Sequence, residues 1–184
     1  MSTITTCYGD IDTAIMARLA KIKLLAFDVD GTITEGGVYL DNTELEFKKF
    51  YTKDGYGLHH LHKSGVICAA ITGRKARLME RRMAELKLNH LIQGEWDKET
   101  ALTNLCKQLN IDLDEAACIG DDLNDLPMFK IAGVTACPHD AHPYMQKIAT
   151  LVMDYDGGKG AVRQFCDLIM MAQGKLNYDG GPLE

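Results

Sequence analysis

Leu24-Leu25-Ala26-Phe27-Asp28-Val29-Asp30-Gly31-Thr32 is an apolar run that stops at two carboxylates and a glycine. A short apolar run bounded by a turn signal reads as a fully buried parallel strand. Side chains alternate along a strand, so Asp28 and Asp30 emerge on the same side at its tip. Two like charges held that close raise each other's pKa unless a cation sits between them. The pair therefore asks for a metal, or for chemistry in which one carboxylate attacks and the other carries a proton.

Outward from this strand, apolar strand-like and helical stretches alternate. Residues 11–21 have helical spacing and lead into it. Residues 37–52 differ: Val38-Tyr39-Leu40 and 45–51 are strand-like around Asp41-Asn42-Thr43, which predicts a β-hairpin. Helices are expected over 54–63, 75–87, 98–109 (capped by Asp97), 123–131, 141–148 and 161–173. Strands are expected over 66–71, 91–92, 116–119, 134–136 and 150–153. Such alternation implies an α/β fold, a Rossmann-like parallel sheet with helices on both faces joined by right-handed crossovers. In such sheets ligands bind beyond the carboxyl ends of the strands. That places Asp28, Thr72 and Asp121 at one rim of one domain spanning 1–184, with a tail from about 174.

At 184 residues the chain suits one domain with a full core, and 46% hydrophobic with 25% charged residues is ordinary for a globular protein. The formal charge of −6 argues against nucleic acid, and the strongest basic cluster (Arg74, Lys75, Arg77, Arg81, Arg82) suits a small anion. The opening Met1-Ser2-Thr3-Ile4-Thr5-Thr6 has no charged start followed by an apolar core, so no secretory signal is expected. No stretch approaches the roughly 18 apolar residues of a membrane span. Six cysteines without CxxC pairing read as thiols in a reducing compartment, which predicts the cytoplasm. His59, His60 and His62 lack cysteine partners at ligand spacing and are not read as a metal site.

The rim collects a specific inventory. The second buried strand ends in Ile71-Thr72-Gly73-Arg74, which offers a hydroxyl, a backbone amide and a guanidinium. Lys98 opens a helix whose dipole already favours anions. A later strand ends in Gly120-Asp121-Asp122-Leu123-Asn124-Asp125, a second acidic cluster. Alone, Thr72-Gly73 is a turn, Lys98 a solvated helix residue and Asp121-Asp122 a helix cap. Together they hold a nucleophile, a proton carrier, anion donors and hard oxygens suited to Mg²⁺. Phosphoryl transfer needs mainly positioning and charge neutralisation, and this set supplies both.

In these motifs, Asp28-Val29-Asp30-Gly31-Thr32, Thr72-Gly73, Lys98 and Gly120-Asp121-Asp122, the sequence resembles the haloacid dehalogenase superfamily of phosphatases. The resemblance implies Asp28 as the nucleophile and Asp30 as the acid that protonates the leaving oxygen and then activates water. It implies Thr72, Gly73 and Lys98 on the phosphate. It also implies Mg²⁺ held by Asp28, the backbone carbonyl of Asp30, and Asp121, with Asp122 and Asp125 behind them. The segments between the motifs leave no room for a cap domain, so the site must act on a large substrate or borrow walls from a neighbouring subunit.

Thr6-Cys7-Tyr8-Gly9, Asp54-Gly55-Tyr56-Gly57, Asp140-Ala141-His142-Pro143, Gly157-Gly158-Lys159-Gly160-Ala161-Val162-Arg163 and Ala172-Gln173-Gly174-Lys175-Leu176 extend the likeness along nearly the whole chain. They resemble the capless 3-deoxy-D-manno-octulosonate 8-phosphate phosphatases, which are tetramers on the route to lipopolysaccharide. The resemblance implies hydrolysis of that sugar-acid phosphate, with Tyr51, Thr52, Lys53, Asp54, Gly55, His59, Arg74 and Arg82 as substrate contacts beside Asp30 and Lys98. A guanidinium can hold the sugar's carboxylate bidentately. Lys53 and His59 depart from the family's arginines, and lysine is a point charge and not a fork. By the resemblance, 157–160 and 177–184 reach toward an adjacent subunit's active site. Two other readings stay open: a phosphatase for a nine-carbon acid sugar 9-phosphate, and a phospho-accepting receiver. Asp30 opposes the receiver, because a proton carrier beside the nucleophile favours rapid hydrolysis.

Overall fold

A computed structural model describes residues 2–40 and 46–182. Its centre is a parallel sheet of β3 (Leu24–Phe27), β6 (Ile67–Thr72), β7 (His90–Gln93), β8 (Ala116–Ile119), β9 (Val134–Cys137) and β10 (Leu151–Val152). The strand order is β10-β9-β8-β3-β6-β7. β3 pairs with β6 in the register Leu24 to Ile67 and with β8 in the register Leu24 to Ala116. The strand that carries Asp28 at its tip therefore lies inside the sheet, flanked by the strands that carry Thr72 and Asp121.

Alternation along β3 splits the core. Leu25 and Phe27 face one layer, built from α1 (Thr13–Leu19), α2 (Thr52–Lys63), α3 (Arg77–Leu86) and α7 (Ala161–Ala172) through Met16, Leu58, Met83 and Phe165. Leu24 and Ala26 face the other, built from α4 (Lys98–Leu109), α5 (Leu126–Ile131) and α6 (Pro143–Ile148) through Leu102, Met128 and Met145. Each such side chain, fully buried, contributes roughly 1.5–3 kcal/mol. Both faces are covered, as the continuous apolar strands require.

Most expected elements appear within a few residues of their bounds, and the differences have local causes. Residues 123–131 divide into a 3₁₀ turn over Leu123–Asp125 and then α5, where Pro127 fits only the first turn because it lacks an N–H. Residues 11–21 do not all form helix. An antiparallel pair of β1 (Thr3–Thr6) and β2 (Gly9–Asp12) precedes α1, turning at Gly9 with φ +90°, and Asp12 caps α1 by accepting from Ala14 N at 2.7 Å. Its β-branched run Thr3-Ile4-Thr5-Thr6 is a strand signal that the reading above passed over. β4 (Tyr39–Leu40) pairs antiparallel with β5 (Glu46–Phe47), while the turn expected at 41–43 lies outside the described residues.

The glycine-rich stretch 157–160 packs on the loop after β3 of its own chain. Gly158 N donates to Thr32 O at 2.9 Å, and a Cβ on Gly157 would stand 1.7 Å from Gly31 O. Lacking side chains, these glycines let the backbone lie directly on the loop after β3. The described part of the tail also touches its own chain: Cys7 N donates to Tyr178 O at 2.7 Å, beside the β1–β2 pair. Residues 183–184 lie outside the described chain.

Candidate active site

The carboxyl ends of β3 and β8 and the first residue of α4 meet at one buried point. Asp28 is 3% exposed, and Lys98 and Asp125 are fully buried. Lys98 Nζ donates to Asp28 Oδ1 at 2.5 Å and to Asp125 Oδ1 at 2.6 Å. The other oxygen of Asp125 accepts the backbone N–H groups of Asp121 (3.0 Å) and Asp122 (3.3 Å), shaping the loop that presents Asp121. Asp122 accepts from Leu123 N at 2.7 Å as an N-cap. Thr32 Oγ1 donates to Asp121 Oδ1 at 3.0 Å. Gly31 is required here: its φ is +92°, and a Cβ would lie 2.1 Å from Asp121 Oδ2.

Carboxylate oxygens of Asp28, Asp121 and Asp125 lie within 4.8 Å of one another. Three carboxylates against one ammonium leave the cluster net negative. Burial, and then the Asp125 charge, push the Asp28 carboxyl up to about 8. The same two causes push Asp121 up to about 7. Burial alone would lower the Lys98 ammonium, yet Asp28 and Asp125 override it and hold its pKa raised. An all-oxygen set with surplus negative charge fits a hard divalent cation, and Mg²⁺ takes such oxygens while keeping several waters.

Thr72 is 3% exposed at the end of β6, and its Oγ1 accepts from Arg74 N at 3.3 Å. Gly73 lies under the indole of Trp96, 2.8 Å from where a Cβ would stand. Asp30 sits at the rim with its carboxylate paired to Lys48, a residue that sequence reasoning missed. The adjacent basic pair Lys48-Lys49 within a hairpin was the available signal.

The expected substrate contacts do not form one group. Arg82 stacks 5.2 Å over Phe50 and fills the space left by Gly55, in a cleft of about 290 Å³ shared with Phe47, Lys48, Arg81 and Glu85. Tyr51 and Lys53 line a second cleft of about 260 Å³ with Tyr8, Tyr155, Lys159 and Arg163. Thr52 is exposed at the start of α2. Asp54 is 1% exposed and accepts Arg163 N at 2.8 Å through Oδ1, so it caps α7 from α2. Burial pushes its carboxyl up to about 6 against the pull of the Arg163 and Gly160 N–H groups. His59 Nδ1 pairs with Leu86 O at 3.1 Å and ties α2 to α3.

Comparison with known proteins places the chain in a family. Residues 90–165 match the model of the haloacid dehalogenase-like hydrolase family. The chain is 42% identical over 180 residues to the 3-deoxy-D-manno-octulosonate 8-phosphate phosphatase of Escherichia coli (strain B / BL21-DE3), covering 98% of this chain and 96% of that one. The crystal structure of the phosphatase of that name from Yersinia pestis superposes with a TM-score of 0.93 at 41% identity over 99% of both chains. That from Moraxella catarrhalis, in complex with magnesium ion, phosphate ion and the sugar acid KDO, superposes with a TM-score of 0.86 at 40% identity over 89% of this chain and 95% of that one. The chain belongs to the haloacid dehalogenase-like hydrolases, in the family of the 3-deoxy-D-manno-octulosonate 8-phosphate phosphatases.

Proposed function

We propose that this chain is a Mg²⁺-dependent phosphatase that hydrolyses 3-deoxy-D-manno-octulosonate 8-phosphate to the free sugar acid and phosphate, in lipopolysaccharide biosynthesis. The observation that carries the reading is the buried Asp28 carboxylate, aimed out of the sheet and held by Lys98 beside Asp121. An Asp28 oxygen attacks phosphorus, and the bond to the sugar's oxygen breaks as Asp30 gives that oxygen its proton. Asp30, now a carboxylate, takes a proton from water as its oxygen attacks the aspartyl-phosphate, releasing phosphate and restoring Asp28. Thr72, the Gly73 amide and Lys98 hold the phosphoryl oxygens. Asp28, the Asp30 carbonyl and Asp121 would hold Mg²⁺, which supplies neutralising charge at the phosphoryl group.

Arg74 and Arg82 are the guanidinium groups for the sugar's carboxylate, with Tyr51 and Lys53 beside the second cleft. We place the enzyme in the cytoplasm as one domain over 1–184, without membrane or nucleic-acid partners. Its acidic charge opposes a nucleic-acid partner, and among the described residues no helix is long and apolar enough to cross a membrane. A homotetramer is supported by the apolar side chains of Val38, Tyr39 and Phe47, which are 56%, 47% and 58% exposed on the hairpin.

The test is phosphate release from a panel of sugar phosphates with Mg²⁺ and with excess EDTA. The eight-carbon acid 8-phosphate should show the highest kcat/KM, and EDTA should silence it. Preference for a nine-carbon acid 9-phosphate, or full activity in EDTA, would contradict the reading.

A further inference from the structure

We propose that Lys48 is a positioning residue for proton transfer, holding the Asp30 side chain in the orientation from which it protonates the leaving oxygen. This rests on the reading of Asp30 as the proton carrier. Lysine stems ordinarily leave their ammonium in water. The Lys48 side chain is only 3% exposed, and its Nζ pairs with Asp30 Oδ1. Among the described residues Asp30 has no other side-chain partner, so this contact sets its rotamer and leaves Oδ2 to meet the leaving oxygen or the attacking water.

The base of the hairpin is fixed on both sides of that contact. Phe50 bridges to Thr34 in the loop after β3, and Arg82 covers its ring. Lys49 Nζ and Tyr39 Oη each donate to Glu35, at 2.9 and 2.6 Å. Lys48 thus extends from a backbone anchored to the same loop that carries Asp30. A proton donor displaced by a small distance or angle loses much of its effect. The hairpin therefore does more than wall the site, because its position is coupled to the acid.

The sugar's alkoxide must be protonated as it leaves, whereas the phenolate of p-nitrophenyl phosphate departs unaided. Since kcat/KM covers steps through departure of the leaving group, comparing the two substrates isolates the acid. Lys48→Met should lower kcat/KM about tenfold or more on the sugar-acid phosphate and less than about twofold on p-nitrophenyl phosphate. Lys48→Arg should recover most of the loss. If the methionine variant does not fold, Lys48→Leu, which likewise removes the donor, carries the same comparison. Equal loss on both substrates, no loss, or a rise confined to KM overturns the proposal. Asp30→Ala in the same two assays separates the reading beneath it. If that variant slows both substrates equally, Asp30 is not the acid; if it is selective while Lys48→Met is not, only the Lys48 proposal fails.

Discussion

At Asp28 burial and charge pull against each other. A carboxylate that is 3% exposed resists ionisation, yet a nucleophile must be ionised, and the Lys98 ammonium is what the chain itself supplies to hold the charge. Lys98→Met would leave Asp28 and Asp125 facing each other without a counter-charge. Removing one partner of such a buried group costs about 3–5 kcal/mol, so urea unfolding of the variant should show a drop on that scale. A loss within the ordinary surface range of about 0.5 kcal/mol would contradict the account. These residues were legible in the sequence because each ends a buried strand or opens a helix, where local pattern fixes the place. The basic pair Lys48-Lys49 marks the hairpin, but that Lys48 meets Asp30 depends on where the hairpin folds back, which no local spacing encodes.

Between elements, α2 and α7 are joined by one buried carboxylate. Asp54, on α2, accepts the third N–H of α7, whose own N-cap is a glycine without a side-chain acceptor. Asp54→Ala should therefore cost about 0.5–2 kcal/mol in thermal or urea unfolding, as cap losses do, with KM for the sugar acid little changed. A large rise in KM with stability intact would instead mark Asp54 as a substrate contact. The helices and central strands could be read from periodicity alone, since a parallel sheet covered on both faces writes itself as apolar runs. What escaped were contacts between distant segments: the Asp54 cap on α7 and the close lie of Gly157 and Gly158 on the loop after β3. Both depend on which elements become neighbours, and no spacing within a segment encodes that.

For the molecule as a whole, the acidic rim links pH, metal and stability. Asp28 and Asp121 titrate near 8 and 7 in the folded, metal-free chain, and Asp54 near 6, all above the ordinary carboxylate range. Between about pH 5 and 8 the folded state therefore binds more protons than the unfolded one, and stability falls as pH rises. Mg²⁺ takes the ionised carboxylates, so it should stabilise the protein and bind more tightly as pH rises across that window. Melting temperatures in EDTA and in Mg²⁺ from pH 5 to 8 check this, and a metal-free Tm that climbs over that range would contradict it. The central claim is that the phosphoryl group passes through Asp28. Its most direct test is acid quenching of the Asp30→Asn variant during turnover of p-nitrophenyl phosphate, followed by mass spectrometry of the peptide containing residue 28. The account predicts one added phosphoryl group on Asp28 that is absent when Asp28→Asn is combined with that variant; an unmodified Asp28 during sustained turnover would contradict it.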